Sequence, residues 1–162
     1  MPSPMNLFGG FVYGSTRNGN GSGLVHKKEL AVRSKESAPT AKSVLFVDDE
    51  ASILKMRRAV FEALGYSVHT AISGQEALQV LELYPVDAVV LDYQMPGMDG
   101  EETARCIRKL RSDIPIILSS GCLTVPERVL EIVTAAVEKA GRPEVLIEAL
   151  EQQLHPLLNP AC

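Results

Sequence analysis

From Lys42 onward, apolar residues fall into short unbroken runs that alternate with longer stretches where they recur every three or four positions. Short runs suit strands buried on both faces, and the longer period suits helices with one buried stripe. Ser43 to Val47 is the first run, and Asp48-Asp49-Glu50 sets acids where a helix begins. Ile53, Met56, Val60 and Leu64 then mark one helical face, with Gly65 ending it. Tyr66 to Ala71 is a second strand. Ser73 offers a cap with Glu76 three residues on, ahead of a helix lined by Ala77, Val80 and Leu81 and closed by Pro85. The pattern continues with a strand from Asp87 to Leu91, a helix from about Glu101 using Thr103, Ile107 and Leu110, and a strand from Ile114 to Ser119. A weaker helix after Pro126 uses Val129, Leu130 and Val133; the short run Ala135-Ala136-Val137 follows, and a last helix from Pro143 carries Leu146, Ala149, Leu150 and Leu154.

Five strand-helix repeats of this kind predict an α/β domain, a doubly wound five-stranded parallel sheet with helices on both faces. Right-handed crossovers bring the loops after the strands to one edge of the sheet. A single core is what 162 residues with 46% hydrophobic content support.

Charge divides the chain. Residues 1–42 hold six Lys/Arg against two Asp/Glu, whereas the whole chain carries −4, so the remainder is acidic. An acidic folded part argues against nucleic acid as the direct partner. Residues 1–41 are rich in Gly, Ser and Asn with no sustained apolar period and are expected to form a flexible leader; 42–155 form the domain and 156–162 a short tail. No apolar window is long enough to span a bilayer and no secretory signal opens the chain, so a soluble, cytoplasmic protein is expected. Cys106, Cys122 and Cys162 are scattered, and His26, His69 and His155 lack metal-ligand spacing.

The strand ends carry the chemistry. Asp48-Asp49 follows the first strand, Asp92 the third, Ser119-Ser120-Gly121 the fourth and Glu138-Lys139 the fifth. Clustered acids repel unless a hard cation neutralises them, and oxygen ligands suit Mg²⁺. A carboxylate beside Mg²⁺ can attack a phosphoryl group in line, with Lys139 and a serine hydroxyl on the remaining phosphoryl oxygens.

Phe46-Val47-Asp48-Asp49-Glu50, the stretch Val89 to Gly100 (VVLDYQMPGMDG), Pro115 to Gly121 (PIILSSG) and Lys139 together resemble the receiver domain of two-component response regulators. The resemblance runs from about Lys42 to Leu154 and implies a flavodoxin-like receiver fold, close to stand-alone chemotaxis receivers. It implies that Asp92 accepts phosphate from a sensor histidine kinase or a histidine phosphotransfer protein. It further implies that Asp49 binds Mg²⁺ directly, Asp48 through water, and Gln94 through its backbone carbonyl. Ser120 matches the switch hydroxyl, an assignment that alignment on Pro115 favours over Ser119, and Lys139 matches the phosphate-binding lysine.

The chain departs from the pattern at Lys139-Ala140-Gly141-Arg142-Pro143, where Pro and an aromatic commonly follow the lysine, and at Ala136, where an aromatic is common. The interval from Ser120 to Lys139 is short, which predicts a stunted fourth helix. Two rival functions remain: a phosphate-independent receiver-like interaction module, and a phosphatase of the haloacid dehalogenase type. The latter wants an acid where Gln94 stands. Residues after Leu154 are too few for an output domain, so the expected mode is docking to a downstream protein, without direct DNA contact and with a homodimer left open.

Overall fold

The computed structural model describes residues 41–121 and 125–154. The expected tail, all of the expected leader except Ala41, and His26, Cys122, His155 and Cys162 lie outside the described residues.

Strands β1 (Ser43–Val47), β2 (Ser67–Ala71), β3 (Ala88–Asp92), β4 (Ile116–Ser120) and β5 (Ala135–Glu138) alternate with helices α1 (Ala51–Ala63), α2 (Gly74–Leu83), α3 (Gly100–Leu110), α4 (Glu127–Leu130) and α5 (Pro143–Leu154). All strand pairs are parallel, in the order β2-β1-β3-β4-β5. The chain leaves β1 for β2 on one side and crosses back to β3 on the other. The ends of β1 and β3 are therefore neighbours at the point where the winding reverses, the place where open α/β sheets bind ligands.

Alternation along the strands divides the core into two layers. Leu45, Val47, Val89, Leu91, Ile116 and Leu118 face α2, α3 and α4, meeting Ala77, Leu81, Ile107 and Val129. Val44, Phe46, Ala88, Val90 and Ile117 face the opposite way, meeting Leu54 and Phe61 of α1 and Leu150 of α5. Strands buried on both faces can be apolar at every position, which is why these runs carry no alternation in the sequence.

The helix on the second layer is rotated from expectation. Met56 and Leu64 are exposed, Ile53 and Val60 half-buried, and the face on the sheet is Leu54, Arg57 and Phe61. Phe46 and Phe61 meet with ring centroids 4.9 Å apart, and these bulky partners set which face turns inward. Leu110 and Leu130, also expected on core stripes, stay largely exposed.

Local chemistry fixes the helix starts. Ser73 Oγ accepts from the Glu76 backbone N–H at 3.2 Å while Glu76 Oε2 accepts from the Ile72 N–H at 2.8 Å, close to the reciprocal cap foreseen. Asp99 caps α3 by accepting from the Glu102 N–H at 2.8 Å. The fourth helix is a single turn of four residues, as its short interval required. Arg108 ties the chain after it to the sheet, its Nε donating to the Ile132 carbonyl at 2.8 Å and its Nη1 to the carbonyls of Ser112 and Ile114. Among the described residues, no helix is long and apolar enough to cross a membrane. His69 stacks on Tyr84 with centroids 4.7 Å apart, and Cys106 is a half-buried free thiol.

Candidate functional site

Asp48, Asp49 and Asp92 converge at the C-terminal edge of β1 and β3, each offering an oxygen within 4.8 Å of the others. Asp48, the residue after β1, and Asp92, the last residue of β3, are buried, whereas Asp49 is exposed. A helix-capping role does not account for the pair. The residue in the N-cap position of α1 is Glu50, which makes no side-chain cap bond. Asp48 Oδ1 instead accepts from the Glu50 N–H at 3.0 Å and from Lys139.

Lys139 is the cation of the site. Its Nζ donates to Asp92 Oδ2 at 2.8 Å, Asp48 Oδ1 at 3.2 Å and Glu50 Oε1 at 3.1 Å. Burial works to lower its pKa, but the bonds to Asp92 and Glu50 and the charges of Asp48 and Asp92 outweigh it, so the ammonium is held above its ordinary range. Burial raises the Asp48 carboxyl, opposed by the Glu50 N–H and by Lys139 and reinforced by Asp92. A carboxylate held this way gains from any further cation.

The turn after β3 positions Asp92. Gly97 adopts φ 77°, a left-handed conformation that suits glycine. Gly100 opens α3 so close to the strand end that an added Cβ would lie 2.4 Å from the Asp92 carbonyl oxygen. Gln94 is exposed in this turn and lines an open depression with Asp49, Tyr93, Met95, Pro96 and Asp99.

The two serines of β4 are both buried but differ in register. Ser119 pairs with Asp92 and Val137, and Ser120 with Glu138. The Lys139 backbone N–H donates to the Ser120 carbonyl at 2.8 Å, which fixes the lysine loop to the end of β4. Ala136, opposite Leu118, is exposed and brings no ring to this face.

Sequence reasoning did not find Arg57 or the bond from Lys139 to Glu50. Arg57 Nη2 donates to Ser119 Oγ at 2.8 Å, and Nη1 stands 3.7 Å from Asp48 Oδ2. Burial lowers this guanidinium's pKa, while Asp48 and Asp92 raise it.

The donor set suits a hard divalent cation. Three carboxylates face one point, and among the described residues the buried Asp48 Oδ2 has no hydrogen-bond partner, an orphaned acceptor that a cation would satisfy.

Comparison with known proteins agrees with this geometry. Residues 44–151 match the response regulator receiver domain family. The chain is 45% identical over 91 residues to a probable transcriptional regulator, ycf27, of Cyanidium caldarium, covering 56% of this chain and 34% of that protein. It is 36% identical over 107 residues to the response regulator MprA of Mycolicibacterium vanbaalenii, covering 66% of this chain and 46% of that one. The chain thus spans half or less of the length of these curated relatives. Among solved structures, the response regulator TrrA of Thermotoga maritima, in complex with Mg²⁺ and BeF, superposes with a TM-score of 0.66 at 32% identity, covering 70% of this chain and 99% of that one. The chemotaxis protein CheY4 of Vibrio cholerae superposes with a TM-score of 0.67 at 31% identity, covering 70% and 99%. The five-stranded sheet, the acidic strand ends and the match over most of the chain lead to one conclusion: this protein belongs to the response regulator receiver domain family of two-component signalling.

Proposed function

We propose that the protein is a phosphoacceptor of a two-component phosphorelay, taking a phosphoryl group on Asp92 and signalling by docking to a partner. One observation carries the reading: the buried Asp92 carboxylate sits at a strand end with the Lys139 ammonium at 2.8 Å and two further carboxylates within 4.8 Å. A stability-driven fold gains little by burying this many charges at a turn.

In this reading Asp48, Asp49, Asp92 and the Gln94 backbone carbonyl would hold Mg²⁺. Bound there, Mg²⁺ would offset charge on the phosphoryl oxygens. An Asp92 carboxylate oxygen attacks phosphorus, the new O–P bond forms, and the P–N bond of a phosphohistidine donor breaks, with the electron pair leaving on the imidazole. Lys139 takes one equatorial oxygen as its contact with Asp92 loosens, and the Ser120 hydroxyl takes another. The added charge of about −1.5 to −2 draws the end of β4 towards Asp92 and alters the face built from α4, β5 and α5.

The donor is a sensor histidine kinase or a histidine phosphotransfer protein, in the cytoplasm, and the chemistry is limited to the domain's own phosphorylation and dephosphorylation. Output passes to a downstream protein. A second reading, in which the receiver governs a DNA-binding output, is favoured by the curated relatives named as transcriptional regulators, which extend well beyond the matched stretch.

Intact mass after incubation with acetyl phosphate and Mg²⁺ tests the proposal. A phosphoryl adduct that disappears in Asp92→Asn and without metal is expected. No adduct on folded protein, with phosphoramidate as well as acetyl phosphate, would overturn it in favour of a phosphate-independent module.

A further inference from the structure

Arg57 is a buried cation to which phosphoryl transfer gives no role. It occupies the middle of α1 between Leu54 and Phe61, and only 5% of it is exposed. An arginine taken out of water costs several kcal/mol unless partners compensate, so its partners explain its presence. There are three. The guanidinium carbon lies 5.9 Å from the centroid of the Phe46 ring, Nη2 donates to Ser119 Oγ at 2.8 Å, and Nη1 faces Asp48 Oδ2 at 3.7 Å.

The last of these contacts is incomplete. At 3.7 Å it is too long for a hydrogen bond, and among the described residues the buried Nη1 and Oδ2 have no hydrogen-bond partner. The fork bonds Ser119 through its other nitrogen, while the other oxygen of Asp48 accepts from Lys139. One guanidinium is therefore shared between the carboxylate pocket and the end of β4. Ser119 pairs with Asp92 in register and immediately precedes Ser120, so the shared cation spans the acids and the strand end that carries the switch hydroxyl.

We propose that Arg57 is a positioning residue that couples the Asp48 carboxylate to the end of β4 through Ser119, and that by sharing Asp48 it restrains divalent-cation binding. The inference rests on the phosphoacceptor reading. A cation in the pocket would compete with the guanidinium for Asp48 and leave Arg57 bonded to Ser119 alone; without it, the fork is divided between Ser119 and Asp48. This coupling does not require an aromatic at position 136, where the chain has an exposed alanine.

Opposite signs in two variants test the idea, read as the Mg²⁺ dissociation constant by calorimetry on the full chain. Arg57→Met keeps an apolar stem but removes the charge and should tighten Mg²⁺ by about tenfold, because a unit charge close to a divalent cation is removed. Ser119→Ala frees the fork to close on Asp48 and should weaken Mg²⁺ by about threefold. In the Arg57→Met background Ser119→Ala should have no effect on the constant. A merely structural arginine would lower the melting temperature of Arg57→Met and leave its Mg²⁺ constant within twofold of the parent, which overturns the proposal. Equal effects of Ser119→Ala with and without the arginine overturn it too. If Arg57→Met fails to fold, Arg57→Lys replaces it. Retained charge without the fork should leave Mg²⁺ affinity near the parent's and abolish the Ser119→Ala effect, and persistence of that effect refutes the coupling. A parent that binds no Mg²⁺ refutes the phosphoacceptor reading and this inference together, whereas a binding parent with an unchanged Arg57→Met refutes the inference alone.

Discussion

Lys139 Nζ lies 2.8 Å from Asp92 Oδ2, so the end of β3 is joined to the loop after β5 by one ammonium across the intervening strand β4. The same nitrogen reaches Asp48 and Glu50, making it the hub of the acidic edge. Asp48 and Asp92 are each buried to within about one hundredth of full burial and would repel each other without it.

Lys139→Met is therefore expected to destabilise the metal-free protein by about 2 to 3 kcal/mol, somewhat below the usual cost of breaking a buried pair because the lysine is itself partly exposed. Millimolar Mg²⁺ should recover most of the loss, since a cation that binds only the folded state stabilises it by mass action. Urea unfolding with chelator and with Mg²⁺ measures both. A variant as stable as the parent in chelator would show that the ammonium contributes nothing net.

Glu101 offers a pH-dependent contact away from the acids. Its carboxylate accepts from Arg128 at 3.1 Å, linking α3 to the single turn of α4, and from Arg105 at 3.0 Å on its own helix. These bonds, Arg128 first, hold its pKa below the ordinary 4.5. A carboxyl depressed in the folded state adds stability above the unfolded value and loses it as pH falls through the folded one, so the link is intact above pH 4.5 and weakens below it. Arg128→Ala should move the Glu101 titration up towards 4.5 in a carbon-detected NMR experiment, and added salt should do part of the same. A titration curve unchanged by the substitution would refute the pairing.

What could be foreseen from the chain, and what could not, separates along a physical line. Asp48, Asp49, Asp92 and Lys139 were legible because each follows an apolar run, and parallel winding brings such ends to one edge. The two core layers follow from the same runs. The inward face of α1 was not legible. Ile53, Met56, Val60 and Leu64 form an apolar stripe, but the helix turns Leu54, Arg57 and Phe61 to the sheet. Periodicity scores arginine as a surface residue, and the hydroxyl that receives this one, Ser119, lies 62 positions away. The Asp99 cap is hidden in the sequence for a simpler reason: the acid belongs to the turn after Asp92 and also begins α3, so one residue serves two elements.

Gly100 is where that turn allows least change. A Cβ added there would lie 2.4 Å from the Asp92 carbonyl oxygen, 2.7 Å from Tyr93 Cα and 3.0 Å from the Tyr93 carbonyl oxygen, all of them backbone atoms that no rotamer can move aside. Alanine would gain up to about 1 kcal/mol in helix propensity. The overlap outweighs this, and Gly100→Ala should lose about 2 to 3 kcal/mol net as the start of α3 backs away from β3. The Gly100 N–H bond to the Tyr93 carbonyl, 3.0 Å long, would stretch, and the displacement would act on the residue next to Asp92. Phosphorylation by acetyl phosphate should therefore slow along with the fall in urea midpoint. Gly97→Ala is the control: nothing lies within 4 Å of its Cβ position, so its cost is the left-handed backbone alone, about 1 kcal/mol. Equal losses in the two variants would mean that backbone conformation, rather than the close approach to Asp92, sets the requirement for glycine at position 100.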